Sequence, residues 1–312
     1  MSPSFGYVIP PSEGFDVPDP EKLWEIAQAA DESALDHLWV SDHIMFWHPM
    51  YESLSLLSAL AVRTRRIRLG TAVLLLAMRN PVLVAKTLAT IDRLSSGRLT
   101  VGVGIGGEFP PEWEAVGVPT KTRARRTDEM IEALKGLWGE GPYDQGTKYV
   151  DIKRVDLYPK PSKPPKIWIG GRKEPAIERA AKLGDGWMGL FLTPEQYGQR
   201  IVLLSELCER GGRDPSEVFP SLYVWTCIAE TTDEAKRQAS LLLGNFYNTP
   251  FEKLERYAVI GDPEQCASRF REFADAGVKH FAVAPITAEI SLEPLQFLTK
   301  EVMPVFGMTE GP

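Results

Sequence analysis

The stretch Ala72-Val73-Leu74-Leu75-Leu76 decides the fold. It is apolar at every position, whereas a strand with one face in water alternates apolar and polar side chains. A strand apolar on both faces is packed on both, as in a parallel sheet covered by helices. The run belongs to a β-prone segment, Ile67 to Leu75, that follows the charged residues Arg63, Arg65 and Arg66 and includes Arg68. Outward from it the chain alternates. Upstream, Ser53 to Arg63 has helical spacing and His37 to Ser41 reads as another buried strand. Downstream, Pro81 to Leu94 is helical, with Pro81 in its first turn and Gly97 closing it, and Leu99 to Val103 is the next strand.

The pattern extends to both ends. Phe5 to Ile9 is a strand, followed by a helix over Asp19 to Glu32 with apolar spacing at Leu23, Ile26, Ala27 and Ala30. Asp19 is its expected N-cap and Pro20 its first residue. Beyond Val103 come a long helix, Thr122 to Trp138, and a Gly- and Pro-rich segment, Gly139 to Pro165, expected to be irregular or a hairpin. Strands then fall at Lys166 to Ile169, Gly186 to Gly189, Ser221 to Ala229 and His280 to Ala284. Helices fall at Glu174 to Leu183, Pro194 to Glu209, Thr232 to Gly244, Pro263 to Ala276 and Leu292 to Val302. Eight strands, each followed by helical material, predict an α/β fold, a closed (β/α)8 TIM barrel forming one domain over residues 1–312. Two insertions, Gly139 to Pro165 and Phe246 to Gly261, account for the extra length.

Composition narrows the function. The 312 residues carry 35 Lys and Arg against 42 Asp and Glu, a net charge of −7, which disfavours a nucleic-acid binder relying on bulk positive charge. With 44% hydrophobic residues, disorder is not expected. The most apolar segment, Thr71 to Met78, is far shorter than the roughly 20 residues a bilayer span needs. Three cysteines, Cys208, Cys227 and Cys266, are too scattered for a disulfide framework or a zinc site. Met1 to Pro11 lacks a basic segment followed by an apolar one, so a cytoplasmic protein is expected.

Barrel enzymes collect their working residues at the C-terminal ends of the strands. The second strand ends at Asp42-His43, suited either to acid–base work or to a plain loop cap. The fourth ends in Gly104-Ile105-Gly106-Gly107-Glu108, a turn that lets backbone approach a flat ligand. It is no dinucleotide fingerprint, because Pro110 and Pro111 stand where a third glycine would open a helix. The fifth runs into Gly170-Gly171-Arg172-Lys173 just before a helix near Glu174-Pro175, where backbone N–H groups and two cations would hold an anion. Trp39, Trp168, Trp187 and Trp225 fit core packing, and Trp47 is the first choice to touch a ligand. Four histidines, His37, His43, His48 and His280, are too few for a histidine-rich metal site, so no metal is expected. There is no nucleophile elbow, Walker loop or His-Glu-x-x-His. A phosphate site, a flat-ligand slot and few catalytic side chains point to a cofactor.

These residues resemble the luciferase-like flavin and deazaflavin oxidoreductases. The likeness rests on Trp39-Val40-Ser41-Asp42-His43, Leu69-Gly70-Thr71-Ala72-Val73, Asn80-Pro81, Ile91 to Arg98, Gly102 to Gly107, Ile169-Gly170-Gly171 and Gly184-Asp185-Gly186-Trp187. It implies a dimeric barrel that binds coenzyme F420 or FMN, and Asp42, His43 and Trp47 match the F420-dependent branch. His43, Trp47 and Glu108 are then the catalytic candidates, although Gly107 adds a residue before Glu108. Cofactor contacts are implied at Asp42, Ala72, Val73, Leu75, Ile105, Gly106, Gly107, Gly170, Gly171, Arg172 and Lys173, with a cis peptide at Ala72-Val73. Lys160, Lys163, Arg123, Arg125 and Arg126 are candidates for an acidic cofactor tail or for solvated surface charge. The leading expectation is an F420-dependent oxidoreductase acting on a small molecule. The alternatives are an FMN-dependent monooxygenase fed by a separate reductase and a non-catalytic flavin-binding barrel.

Overall fold

The apolar runs form parallel strands in the order their alternation requires. The computed structural model describes residues 2–13, 16–246 and 249–308. Its strands are β1 (Ser4–Val8), β2 (His37–Val40), β3 (Arg68–Leu75), β4 (Leu99–Gly104), β5 (Tyr143–Gly146), β6 (Asp151–Val155), β7 (Lys166–Gly170), β8 (Gly186–Gly189), β9 (Phe219–Ile228), β10 (Val259–Gly261) and β11 (His280–Pro285). The barrel runs β1-β2-β3-β4-β7-β8-β9-β11, and β11 pairs back onto β1. All eight pairings round the barrel are parallel, so the eight expected strands close a TIM barrel.

Period-two alternation sorts the side chains into two cores. Phe5, Tyr7, Leu38, Val40, Val101, Val103, Ile167, Ile169, Phe281 and Val283 pack with the surrounding helices. Val8, Trp39, Ala72, Trp168, Met188, Ala282 and Ala284 fill the barrel. Trp39 fits inside because its neighbours are glycines. A Cβ on Gly6 would lie 2.6 Å from its Nε1, and one on Gly70 would lie 2.2 Å from its Cζ3.

Local signals hold the helices. The helix Pro20–Glu32 is capped by Asp19, whose carboxylate accepts from the Glu21 N–H, and it buries the expected Leu23, Ile26, Ala27 and Ala30. Asn80 likewise caps Pro81–Leu94. Arg98 donates to the carbonyls of Ala61, Thr64 and Ile67, which ties the end of the helix Ser53–Arg63 to the start of β3.

The first insertion carries an antiparallel hairpin, β5–β6. In the second, Tyr247 and Asn248 lie outside the described residues, and the remainder supplies two short turns and β10, which pairs with Thr226–Ile228 of β9. The closing helix departs from expectation: four α-helical residues, Glu293–Gln296, pass into a π-helical turn, Phe297–Val302. A short helix that the sequence pattern concealed spans Pro110–Ala115. Its two prolines occupy the first turn, where no N–H is needed, so they start the helix rather than prevent it. No helix of the described residues is long and apolar enough to cross a membrane.

Candidate active site

β2 delivers Asp42 and His43 to the C-terminal mouth of the barrel. Asp42 is buried and its carboxylate is fully engaged. Oδ1 accepts from Ser53 Oγ at 2.7 Å and from Arg79 Nη2 at 2.6 Å, and Oδ2 accepts from the Leu75 N–H at 2.8 Å. Arg79 also reaches Glu52 at 3.0 Å. Asp42 therefore pins the loop that carries His43 to the end of β3, and its oxygens are spent on that task.

His43 is partnered by Glu112. Its Nδ1 lies 3.1 and 3.2 Å from the two carboxylate oxygens, and the same carboxylate accepts from the Ile44 N–H at 3.2 Å. The Glu112 side chain has no exposed surface, whereas Glu108 is exposed. A carboxylate against Nδ1 makes that nitrogen the proton-bearing one and leaves Nε2 for chemistry. Sequence reasoning chose the glutamate of the glycine turn. The structure brings in the one four residues later, because Pro110–Ala115 is helical and Glu112 stands in its first turn. The Pro-Pro-Glu start was the signal that could have found it.

Beside this pair lies a shelf of small residues. The Ala72–Val73 peptide is cis, and the β3–β4 register shifts between Thr71 and Leu74. Val73 lies over the glycines of neighbouring strands. A Cβ on Gly104 would fall 2.4 Å from Val73 Cγ2, and one on Gly170 would fall 2.9 Å from Val73 Cγ1. Gly106 and Gly107 have φ of 54° and 114°, which a side chain would resist. Leu75 packs under Gly106, and Ile105 is half-buried beside it.

At the end of β7, Gly171 has φ 141°, and a Cβ there would come within 2.6 Å of the Ala176 Cβ. Trp187 donates to the Gly171 carbonyl at 2.8 Å and braces the turn. The helix Glu174–Leu183 that follows has no side-chain cap, and Arg172 and Lys173 are exposed beside its first turn. Two exposed cations beside a helix start suit a phosphate. Most of the other basic candidates have structural partners. Lys160 reaches the Leu137 carbonyl, Arg125 reaches Glu129, and Arg123 reaches the carbonyls of Gly106 and Thr120.

Aromatic rings cross the mouth. His43 stacks on Phe46 with centroids 4.1 Å apart, and Phe46 meets Trp47 at 4.7 Å and Phe246 at 5.6 Å. Trp47 meets Phe109 at 5.3 Å. Phe246 meets His48 at 5.2 Å and Trp225 at 5.2 Å, and Trp225 meets Tyr223 at 5.6 Å. Burial pushes the Tyr223 hydroxyl up, opposed by its bond with Ser41. Phe109 and Phe246 were not among the expected site residues, because nothing in their sequence neighbourhood marks them as mouth residues.

Not every candidate tryptophan and histidine is at the mouth. Trp39, Trp168 and Trp187 are core residues, and His37 and His280 sit at the opposite end of the barrel. Asp36, His37 and His280 lie close enough together to suggest a metal site. Three of their four ring nitrogens are committed, however, and the fourth, His37 Nδ1, lies 2.6 Å from Asp36. His280 Nδ1 pairs with Ser4 Oγ at 2.8 Å, His280 Nε2 accepts from Trp39 Nε1 at 3.1 Å, and His37 Nε2 pairs with Thr100 Oγ1 at 3.2 Å.

Known proteins share this architecture. An F420-dependent glucose-6-phosphate dehydrogenase of Kineococcus radiotolerans is 27% identical over 84% of this chain and 86% of its own. A solved F420-dependent secondary alcohol dehydrogenase, bound to an F420-acetone adduct, superposes with a TM-score of 0.85 at 21% identity, covering 98% of this chain and 99% of its own. The monooxygenase RslO1 of Streptomyces bottropensis does so at 0.81 and 24% identity, covering 96% and 99%. At these identities the two structures show the shared fold. The family model for luciferase-like monooxygenases matches residues 4–254. The chain belongs to the luciferase-like monooxygenase family.

Proposed function

We propose that this protein is an oxidoreductase that uses coenzyme F420 to oxidise or reduce a small organic substrate, with His43 as its acid–base residue. The observation that carries the proposal is His43, held by buried Glu112 beside the Val73 shelf. The curated relative from Kineococcus radiotolerans, similar along most of its length, supports the choice of cofactor. The residues present fit such a group. Val73 over Gly104 and Gly170 gives a flat seat for a ring system, and Arg172 and Lys173 at the start of the following helix give positive charge for a phosphate. When bound, the deazaflavin supplies two-electron exchange with a substrate carbon.

The chain's own part is proton handling and placement. His43 Nε2 exchanges a proton with the substrate oxygen, and Glu112 fixes the tautomer and offsets the charge when the ring is cationic. Asp42 and Arg79 hold the His43 loop, and Trp47 borders the substrate. Replacing His43 with Ala should lower turnover by about 10²- to 10⁴-fold and leave F420 affinity, read by fluorescence titration, unchanged. Unchanged turnover would refute the assignment. A homodimer and a cytoplasmic location are part of the proposal, and sedimentation tests the first.

The family description and the RslO1 neighbour favour a second reading, an FMN-dependent monooxygenase served by a separate reductase. Titration with FMN against F420, followed by oxygen uptake, separates the two. Binding of neither cofactor would point to a barrel without catalysis.

A further inference from the structure

We propose that the tip of the β5–β6 hairpin and the start of the helix Arg123–Trp138 form a second anion site, for a small ligand that carries several carboxylates or phosphates. Its centre is Tyr149. Three cations gather on that one ring. The guanidinium carbons of Arg125 and Arg126 lie 5.9 and 5.2 Å from its centroid, and Lys148 Nζ lies 5.2 Å from it. The ring attracts all three but carries no net charge to cancel theirs.

The carboxylates of the first two helical turns leave most of that charge standing. Glu129 pairs with Arg125 at 2.9 Å, and Asp128 pairs with Arg179 of the next helix. Among the described residues, neither Arg126 nor Lys148 has a carboxylate within ion-pair distance, and Arg126 Nε is buried with no acceptor. One turn earlier, Arg123 lies against the Gly107 turn of the mouth, where a Cβ would come within 3.0 Å of its Nε. Its bonds to the carbonyls of Gly106 and Thr120 orient the guanidinium without neutralising it. Uncompensated cations thus run from the mouth to the hairpin tip, in a chain whose net charge is −7. Holding like charges together raises the energy of the folded chain, and a bound polyanion removes that repulsion.

The site is also fixed before any ligand arrives. The buried Glu129 carboxylate accepts from the Tyr149 N–H at 2.6 Å and from Thr147 Oγ1 at 2.8 Å, and the Glu129 carbonyl accepts from Gln145 Nε2 at 2.9 Å. These bonds anchor the hairpin tip to the helix, so Lys148 and Tyr149 stand at a set place beside Arg126. A single anionic group would meet one cation. A chain of such groups meets Lys148, Arg126 and, towards the mouth, Arg123 together, with paired N–H donors at each guanidinium. Two sources share this chemistry, a free polyanion and an acidic extension of the cofactor.

Calorimetry on the whole protein with tripolyphosphate and with the peptide triglutamate tests the site. Saturable binding is expected, weaker at physiological than at low ionic strength. The double variant Arg126→Gln, Lys148→Gln should weaken it about tenfold. Lys253→Gln with Lys279→Gln removes the same charge from exposed positions elsewhere and should leave it unchanged. Titration with F420 tells the sources apart: a loss in the double variant makes the anionic chain part of the cofactor, and unchanged F420 affinity beside weakened probe binding makes it a free anion. The site is overturned if the double variant matches the parent for both probes and for F420, or if the control pair weakens binding as much. Failure of F420 to bind would sink the cofactor reading alone, and the two probes would still decide the site.

Discussion

The two ends of the barrel use the same residue type for opposite purposes. At the N-terminal end, His37 stacks on Trp39 with centroids 4.6 Å apart and planes 3° apart, and His280 packs edge-on to both. Both imidazoles are buried, and burial holds both below the ordinary histidine value. At the C-terminal end, His43 is partly exposed, with a buried carboxylate on one nitrogen. Histidine at the floor serves as a polar packing piece; histidine at the mouth is the one proposed for chemistry. The neighbours decide which: glycine and tryptophan at one end, a glutamate and open aromatic rings at the other.

Exchanging damage between the ends tests this division most severely. The His43→Ala loss of turnover should come with little change in melting temperature, since little packing is lost. His280→Ala should do the reverse. It leaves the Trp39 indole N–H without its acceptor and opens a cavity, at a cost of about 2–4 kcal/mol, and turnover per folded molecule should hold. Thermal denaturation and kinetics on both variants check the pair, and a large catalytic loss in folded His280→Ala would erase the distinction. A smaller contrast lies in the glycines. Gly70→Ala drives a Cβ into Trp39 and should cost about 1–3 kcal/mol of stability. Gly104→Ala displaces Val73 instead and should weaken F420 binding by about tenfold, equivalent to about 1.4 kcal/mol.

The same division explains what could be read from sequence. The strands were legible because burial on both faces leaves unbroken apolar runs such as Ala72 to Leu76, and the caps Asp19 and Asn80 were legible because capping is local. The cis peptide at Ala72–Val73 came from family resemblance, not from any local pattern. Glu112 was missed because its pairing with His43 spans 69 residues, and because Pro110-Pro111 looked like a break. The position of Phe246 depends on where the helix Thr232–Phe246 ends above the mouth, which periodicity does not specify.

The smallest expected effect is on pH dependence, and it separates the ends without touching catalysis. At the floor, His37 and His280 are held below the ordinary histidine value of 6.5, chiefly by burial, so the unfolded chain binds more protons than the folded one in mild acid. Their neutral forms should therefore give constant stability above about pH 6.5. Stability should fall below it, by up to about 1.4 kcal/mol per pH unit for each imidazole. The rings are 4.8 Å apart, so protonating one further disfavours protonating the other. Asp36 works in a lower window. His37 beside it holds its carboxyl down at about 2 against burial, so its contribution is complete above about pH 3.8 and is lost as pH falls towards 2. Between pH 7 and 5 these two histidines should make the main contribution to the slope. His280→Gln keeps an acceptor for Trp39 and a donor for Ser4 but does not titrate, so its melting temperature should fall less steeply across that range than the parent's. Parallel slopes would show that the floor histidines do not govern acid stability, and the contrast between the two ends would then rest on catalysis alone.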